Sequence, residues 1–268
     1  MTNQQRKIQG VERNQSFDNQ TLTNVEFSAV TFEDCTFTNT SFDKCSASFL
    51  VFDRCTIASP RFTSCHDYEY VSLKNSTLSD CTTPIRALSL NRIENSNLRG
   101  IDIRGKQLFE NSSFQLVNTT LEGSLSNLTM TENQQHDQLA GCDLTHCTIT
   151  NVRFWGIPTE RCQLPNSVKS AVCENWAEIA DDVFHASEQV LANSESTDPE
   201  KVAANFIMAQ VQLDADNFRS RHDLTRYDPS SLNLPPERGG RLINELLETN
   251  IPPEVAAAIK GFYRPWLR

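Results

Sequence analysis

Residues 16–65 repeat with a period of five. Apolar side chains fall at Phe17, Leu22, Phe27, Phe32, Phe37, Phe42, Phe52, Ile57 and Phe62, with Ala47 the one undersized member of the series. An α-helix needs a period of 3.6 and a strand a period of 2, so five fits neither. It suits a chain that turns a corner after each short extended segment. Four such sides close a coil of about 20 residues, and stacked coils form a solenoid with the phenylalanines turned inward along its axis. The expected fold is mostly β with an α part: a four-sided β-helix solenoid followed by a C-terminal helical domain.

Further along, the rhythm slips. His66-Asp67-Tyr68-Glu69-Tyr70 breaks it, and apolar centres resume one residue later at Leu73 and Leu78, with Thr83 a weak one. Leu88, Ile93, Leu98, Ile103 and Leu108 continue that second phase; Phe114 slips once more, and the pattern fades from 115 to 138. It returns at Leu139, Leu144, Ile149 and Phe154. A one-residue slip implies a bulge or loop that leaves the core stack intact. About seven coils at ~4.8 Å each predict a rod roughly 34 Å long.

Nine cysteines suggest a disulfide framework until their phase is read. Cys35, Cys45, Cys55, Cys65, Cys81, Cys142 and Cys147 each stand two residues before a central position, at the second inward site of a side, where only small side chains fit. They are expected to be buried, reduced, small hydrophobes. Tight Cys-x-x-Cys pairs of the kind metals require are absent, and a reducing cytosol is the natural compartment. Mean hydropathy is -0.45 and no apolar run reaches membrane-spanning length. The formal charge of -10 argues against non-specific nucleic-acid binding. The polar start lacks a signal-peptide core, and residues 1–15 are expected to be a flexible arm.

With these residues in view, the stretch resembles the pentapeptide-repeat family, whose consensus is Ala-Asp/Asn-Leu-X-X. The resemblance covers roughly residues 15–156 and implies a right-handed, four-sided β-helix over 16–156. The chain departs from consensus in using Phe at the centre and Ser, Thr or Glu where Asp or Asn is usual. The block Leu98-Arg99-Gly100-Ile101-Asp102-Ile103-Arg104-Gly105 is similar to a segment of the quinolone-resistance pentapeptide proteins that bind DNA gyrase, as is the cysteine-before-Phe usage. Those relatives carry recognition loops that interrupt the repeat. By resemblance the counterparts here are residues 66–70, hence candidate partner contacts at His66, Asp67, Tyr68, Glu69 and Tyr70, and residues 115–138.

After Gly156 the five-residue rhythm stops, and Pro158 and Pro165 mark a linker into a helical domain at 157–268. An amphipathic helix is expected over 167–192 from Val168, Val172, Trp176, Ile179, Val183 and Val190. Thr197-Asp198-Pro199-Glu200 opens a second helix. A third is expected from Glu237 or Gly240 to about Glu248, and a fourth from Pro253 to Lys260 with Gly261 as its C-cap. Arg238-Gly239-Gly240-Arg241 could offer an anion backbone amides and guanidinium groups at a helix start. The aromatic, basic tail adds Trp266 as a further candidate contact.

The chain carries no Gly-rich phosphate loop, HExxH or GxSxG motif. Cys173 and His185, twelve residues apart on one helix, would face directions roughly 120° apart. No catalytic residue, metal site or cofactor is therefore assigned. The expectation is a non-enzymatic scaffold or adaptor that binds a protein partner through the β-helix surface, its loops and the helical domain. One alternative is a bacterial effector that reaches a host cell without a cleaved signal peptide and is related to β-helix-containing ubiquitin ligases. Another is a DNA-gyrase-binding resistance protein.

Overall fold

The computed structural model describes residues 6–65, 68–106, 110–112, 114–131, 138–155, 157, 159–173, 176–222, 241–242 and 251–267. The chain divides into two units, residues 1–150 with 161–165, and residues 151–160 with 166–268.

The first unit is a parallel β-solenoid of about seven turns. Its regularity comes from the backbone at the corners. Asn14, Asn19, Asn24, Ala29, Asp34, Asn39, Lys44, Phe49, Arg54, Ser59 and Ser64 all hold a positive φ of 49–57°. One left-handed residue in every five turns each side into the next. Asn and Asp tolerate that conformation better than most residues, which explains their prevalence here. The corner side chains form ladders on the outside: Asn39 Nδ2 donates to Asn19 Oδ1, Asn95 Nδ2 to Asn75 Oδ1, and Asn118 Nδ2 to Asn95 Oδ1, each at 3.2 Å.

Between corners the central residues stack coil on coil. One wall pairs Phe32 with Phe52, then Leu73, Ile93 and Leu116. The next pairs Phe37 with Ile57, Leu78, Leu98 and Leu121. A third pairs Leu22, Phe42 and Phe62, and a fourth Phe27, Ala47 and Tyr68. Phe27, Phe32 and Phe37 are fully buried. Rings on one wall stack (Phe32–Phe52, 5.6 Å; Phe42–Phe62, 5.2 Å), whereas rings on adjoining walls meet edge to face (Phe32–Phe37, 5.2 Å). Both arrangements are favourable for aromatic quadrupoles.

Four sequence expectations for this unit need correction. Within the stretch expected as a loose arm, Arg6–Arg13 is a strand paired to Val25–Glu33 with Ile8 buried, so its backbone covers an otherwise open edge. Residues 1–5 lie outside the described residues. Within 115–138, expected as a loop, Gln115–Val117 and Thr120–Thr131 are strands, and Leu116, Leu121, Leu125, Leu128 and Met130 are core. The rhythm was lost there because Gly123 pairs with Ile101 and the corner residue corresponding to Gly100 is missing, which shortens the step from Leu121 to Leu125 by one. Thr83 and Leu88 are not centres. Ile85 takes the register opposite Ile103, and Leu88 sits on a 3-10 turn, Ala87–Ser89, with 58% of its surface exposed.

Among the described residues the second unit is built on the helices Trp176–Ala192, Asp198–His222 and Pro253–Tyr263. Trp176, Val183, Ile207, Val211, Ile259 and Tyr263 form its core. The second helix opens as expected: the Thr197 N–H and hydroxyl both donate to the Glu200 carboxylate, at 2.7 and 2.9 Å. The first helix starts later than its periodicity implies. Asn166–Lys169 is a single turn, and Val172–Cys173 pairs antiparallel with Arg241–Leu242, a pairing that takes those residues out of any helix. Gly261 lies inside the last helix and does not cap it.

Candidate functional site

A left-handed corner normally carries Asn, Asp, Gly or Ser. On one edge of the solenoid it carries two aromatics instead. Ser48 pairs with Glu69, so the next residues, Phe49 and Tyr70, stand one above the other at the corner, with φ of 57° and 55°. For bulky residues that backbone is an outlier. Both side chains are exposed, Phe49 by 58% and Tyr70 by 50%. Their rings stack 4.8 Å apart and 3° from parallel. The turn Ala87–Ser89 packs beside Tyr68–Glu69, so exposed Leu88 belongs to the same edge. The result is a short apolar stripe of three exposed side chains.

Of the candidate contacts read from sequence, Tyr70 and Glu69 are exposed as expected. Tyr68 is not: it holds the core register opposite Ala47, and its ring meets Phe62 edge to face at 6.0 Å. The alternation of a strand sends Tyr68 inward when Glu69 points out. Arg241 lies on a strand, Arg241–Leu242, where a helix start was expected. Trp266 packs against the helical core, 6.1 Å from Phe262. His66, Asp67 and Arg238 lie outside the described residues. Phe49 lies outside the inward phase that the apolar period marks. Reading the corner phase, in which every fifth residue must tolerate positive φ, would have marked it.

None of the nine thiols is in a disulfide, and seven of them are buried. In the first coils the Sγ–H donates to a carbonyl of the preceding coil: Cys45 to Leu22 and Cys65 to Phe42 at 3.2 Å, Cys55 to Phe32 at 3.3 Å. Ser76 makes the same bond to Phe52 at 3.2 Å, so the site wants a small donor and is indifferent to sulfur. Burial pushes Cys55 and Cys142 up to about 11 and Cys147 up to about 12. Cys173 is fully buried in the helical core. A nucleophilic thiol requires the opposite shift and some access. His185 is exposed beside Glu188, 3.0 Å away, which raises its pKa. Among the described residues no three metal-ligating side chains come together.

Sides of five residues, coils of four sides and left-handed corners define the fold class: a parallel β-solenoid with a five-residue repeat, followed by a helical unit. No protein-family model matches the chain, and no curated protein matches it. Among solved structures, full-length QnrB1, a plasmid-mediated fluoroquinolone resistance protein, is 16% identical over 58% of this chain and 82% of its own, with a TM-score of 0.23. A trypsin-treated QnrB1 variant is 14% identical over 59% of this chain and 81% of its own, with a TM-score of 0.24.

Proposed function

We propose that this protein is a non-enzymatic scaffold that binds a protein partner, with the stripe at Phe49 and Tyr70 at the centre of the contact. The observation that supports this reading is the pairing of backbone strain with exposure. Two aromatics occupy positions where Asn would fold with less strain, and they gain little burial in return. Aromatic side chains are the residues that most often dominate protein interfaces. A rigid solenoid holds them at a fixed spacing, so little order need be gained on binding. Nine cysteines without a disulfide fit a reducing compartment such as the cytoplasm.

The reading is tested by capturing partners from cell lysate with the full chain and with a Phe49→Asn/Tyr70→Asn variant. Loss of specific capture by a variant that remains folded supports it. Capture that survives both substitutions rules out this edge. Gyrase is the particular partner suggested by the Leu98–Gly105 block, and a supercoiling assay with purified gyrase decides that form of the proposal.

A further inference from the structure

The wall formed by Leu22, Phe42 and Phe62 loses its ladder after Arg61–Thr63. The strand that should follow, Ile85–Arg86, pairs with Ile103 and Arg104 on its far side and has no ladder to Phe62. The cause is in the sequence. Seven residues separate the centres Leu78 and Ile85, where five carry most sides to the next, and the surplus ends in Pro84, which has no N–H to give a ladder. Two coils that should touch are held apart on this wall.

Between them lies a cavity of about 310 Å³, lined by Phe42, Phe52, Phe62, Leu73 and Tyr68 among others. It is roughly twice the size of an apolar cavity of about 150 Å³ that admits benzene. The apolar side chains around it forgo dispersion contacts that the rest of the solenoid makes. Polar side chains line it as well, among them Ser64, Cys65, Tyr68, Thr83, Arg86 and Ser89. The Tyr68 hydroxyl is shielded from solvent, and its polar neighbour among the described residues is the Cys65 thiol. Arg86, exposed at the rim near Ser64, forms no ion pair among the described residues. A thiol is a weak acceptor, so a buried phenol beside one keeps donor capacity for a stronger acceptor, and a guanidinium favours an anion.

We propose that this cavity binds a small apolar carboxylic acid, of the medium-chain fatty acid class. The acyl chain occupies the space between Phe42, Phe62 and Leu73, and the carboxylate accepts from Tyr68 and Arg86. The site is independent of the Phe49–Tyr70 stripe, and either assignment can fail alone.

The test is titration calorimetry of the full chain with decanoate, decanol and methyl decanoate, kept below micelle-forming concentrations. Saturable 1:1 binding of decanoate is expected. Arg86→Gln, a change at an exposed side chain, should weaken decanoate about tenfold and leave decanol unchanged, as loss of one charge-assisted contact predicts. Val71→Phe fills the cavity and should abolish binding of all three. No saturable decanoate binding, or binding untouched by Val71→Phe in a folded protein, overturns the proposal. Equal affinity for decanoate and methyl decanoate overturns the role given to the carboxylate. If Val71→Phe does not fold, the Arg86→Gln comparison of decanoate with decanol decides by itself.

Discussion

A Cβ placed on Gly123 would lie 1.9 Å from the carbonyl oxygen of Ile101 in the preceding coil. Gly123 is therefore the point at which one coil cuts its corner and shortens its register by a residue. Gly123→Ala must either push the two coils apart or undo the shift. A loss of at least about 3 kcal/mol is expected, in line with substitutions that collide with backbone at a special φ. Urea denaturation followed by circular dichroism measures it, and a loss below about 1 kcal/mol would show that the neighbouring coil yields easily.

The Phe49–Tyr70 stack makes a prediction about coupling. Each left-handed aromatic stores roughly 1–2 kcal/mol of backbone strain, and the stack returns about 0.5–1.5 kcal/mol once. A single change, Phe49→Asn or Tyr70→Asn, relieves one strain and loses the whole stack, so it should be close to neutral. The double variant relieves two strains for the same loss and should gain about 1 kcal/mol. Stability that rises while partner capture falls is the outcome expected of a contact surface; a destabilised double variant would show that the stack serves the fold.

Alkaline pH should unfold the solenoid through its thiols. Cys55, Cys142 and Cys147 have folded values near 11, 11 and 12 against an ordinary value of 9.0, because burial disfavours the thiolate. The folded state thus holds protons that the unfolded state releases, and stability must fall as pH rises. It is complete below pH 9 and declines between pH 9 and 12. Thermal melts across that window should show a falling Tm. Cys55→Ser, which keeps a small donor as Ser76 does, should retain the fold at pH 7 and flatten the decline.

Leu88 and Ile93 stand five residues apart in one apparent phase, yet their consequences should differ sharply. Ile93→Ala opens a cavity at a side chain with 1% exposure and should cost about 2–5 kcal/mol. Leu88→Ser alters an exposed residue and should stay within about 0.5 kcal/mol of the parent. Equal costs at the two positions would mean that Leu88 is core and that the register through Ile85 is wrong.

How much of this was legible beforehand depended on distance along the chain. From Phe17 to Phe62 every coil repeats the last, so one period revealed walls, corners and the inward column of cysteines together. Past Tyr70 the insertions before Ile85 and the shortened corner at Gly123 shift the phase, and the eye follows a periodicity that the chain has left. The strand at Arg6–Arg13 and the Val172–Cys173 pairing escaped for another reason: their partners are remote in sequence and leave no local pattern.

The amino-acid order alone determined that a coil of four five-residue sides must form, because no other regular backbone turns so many inward apolar residues to one axis. It also determined that the thiols would be small inward fillers. Only the tertiary structure decided where consecutive coils touch and where they part. That outcome depends on backbone approach between residues 20 or more apart, as at Gly123 and Ile101, and on the missing ladder between Phe62 and Ile85. It is also what set Phe49 on Tyr70, since stacking across coils exists only once the coils have been brought into register.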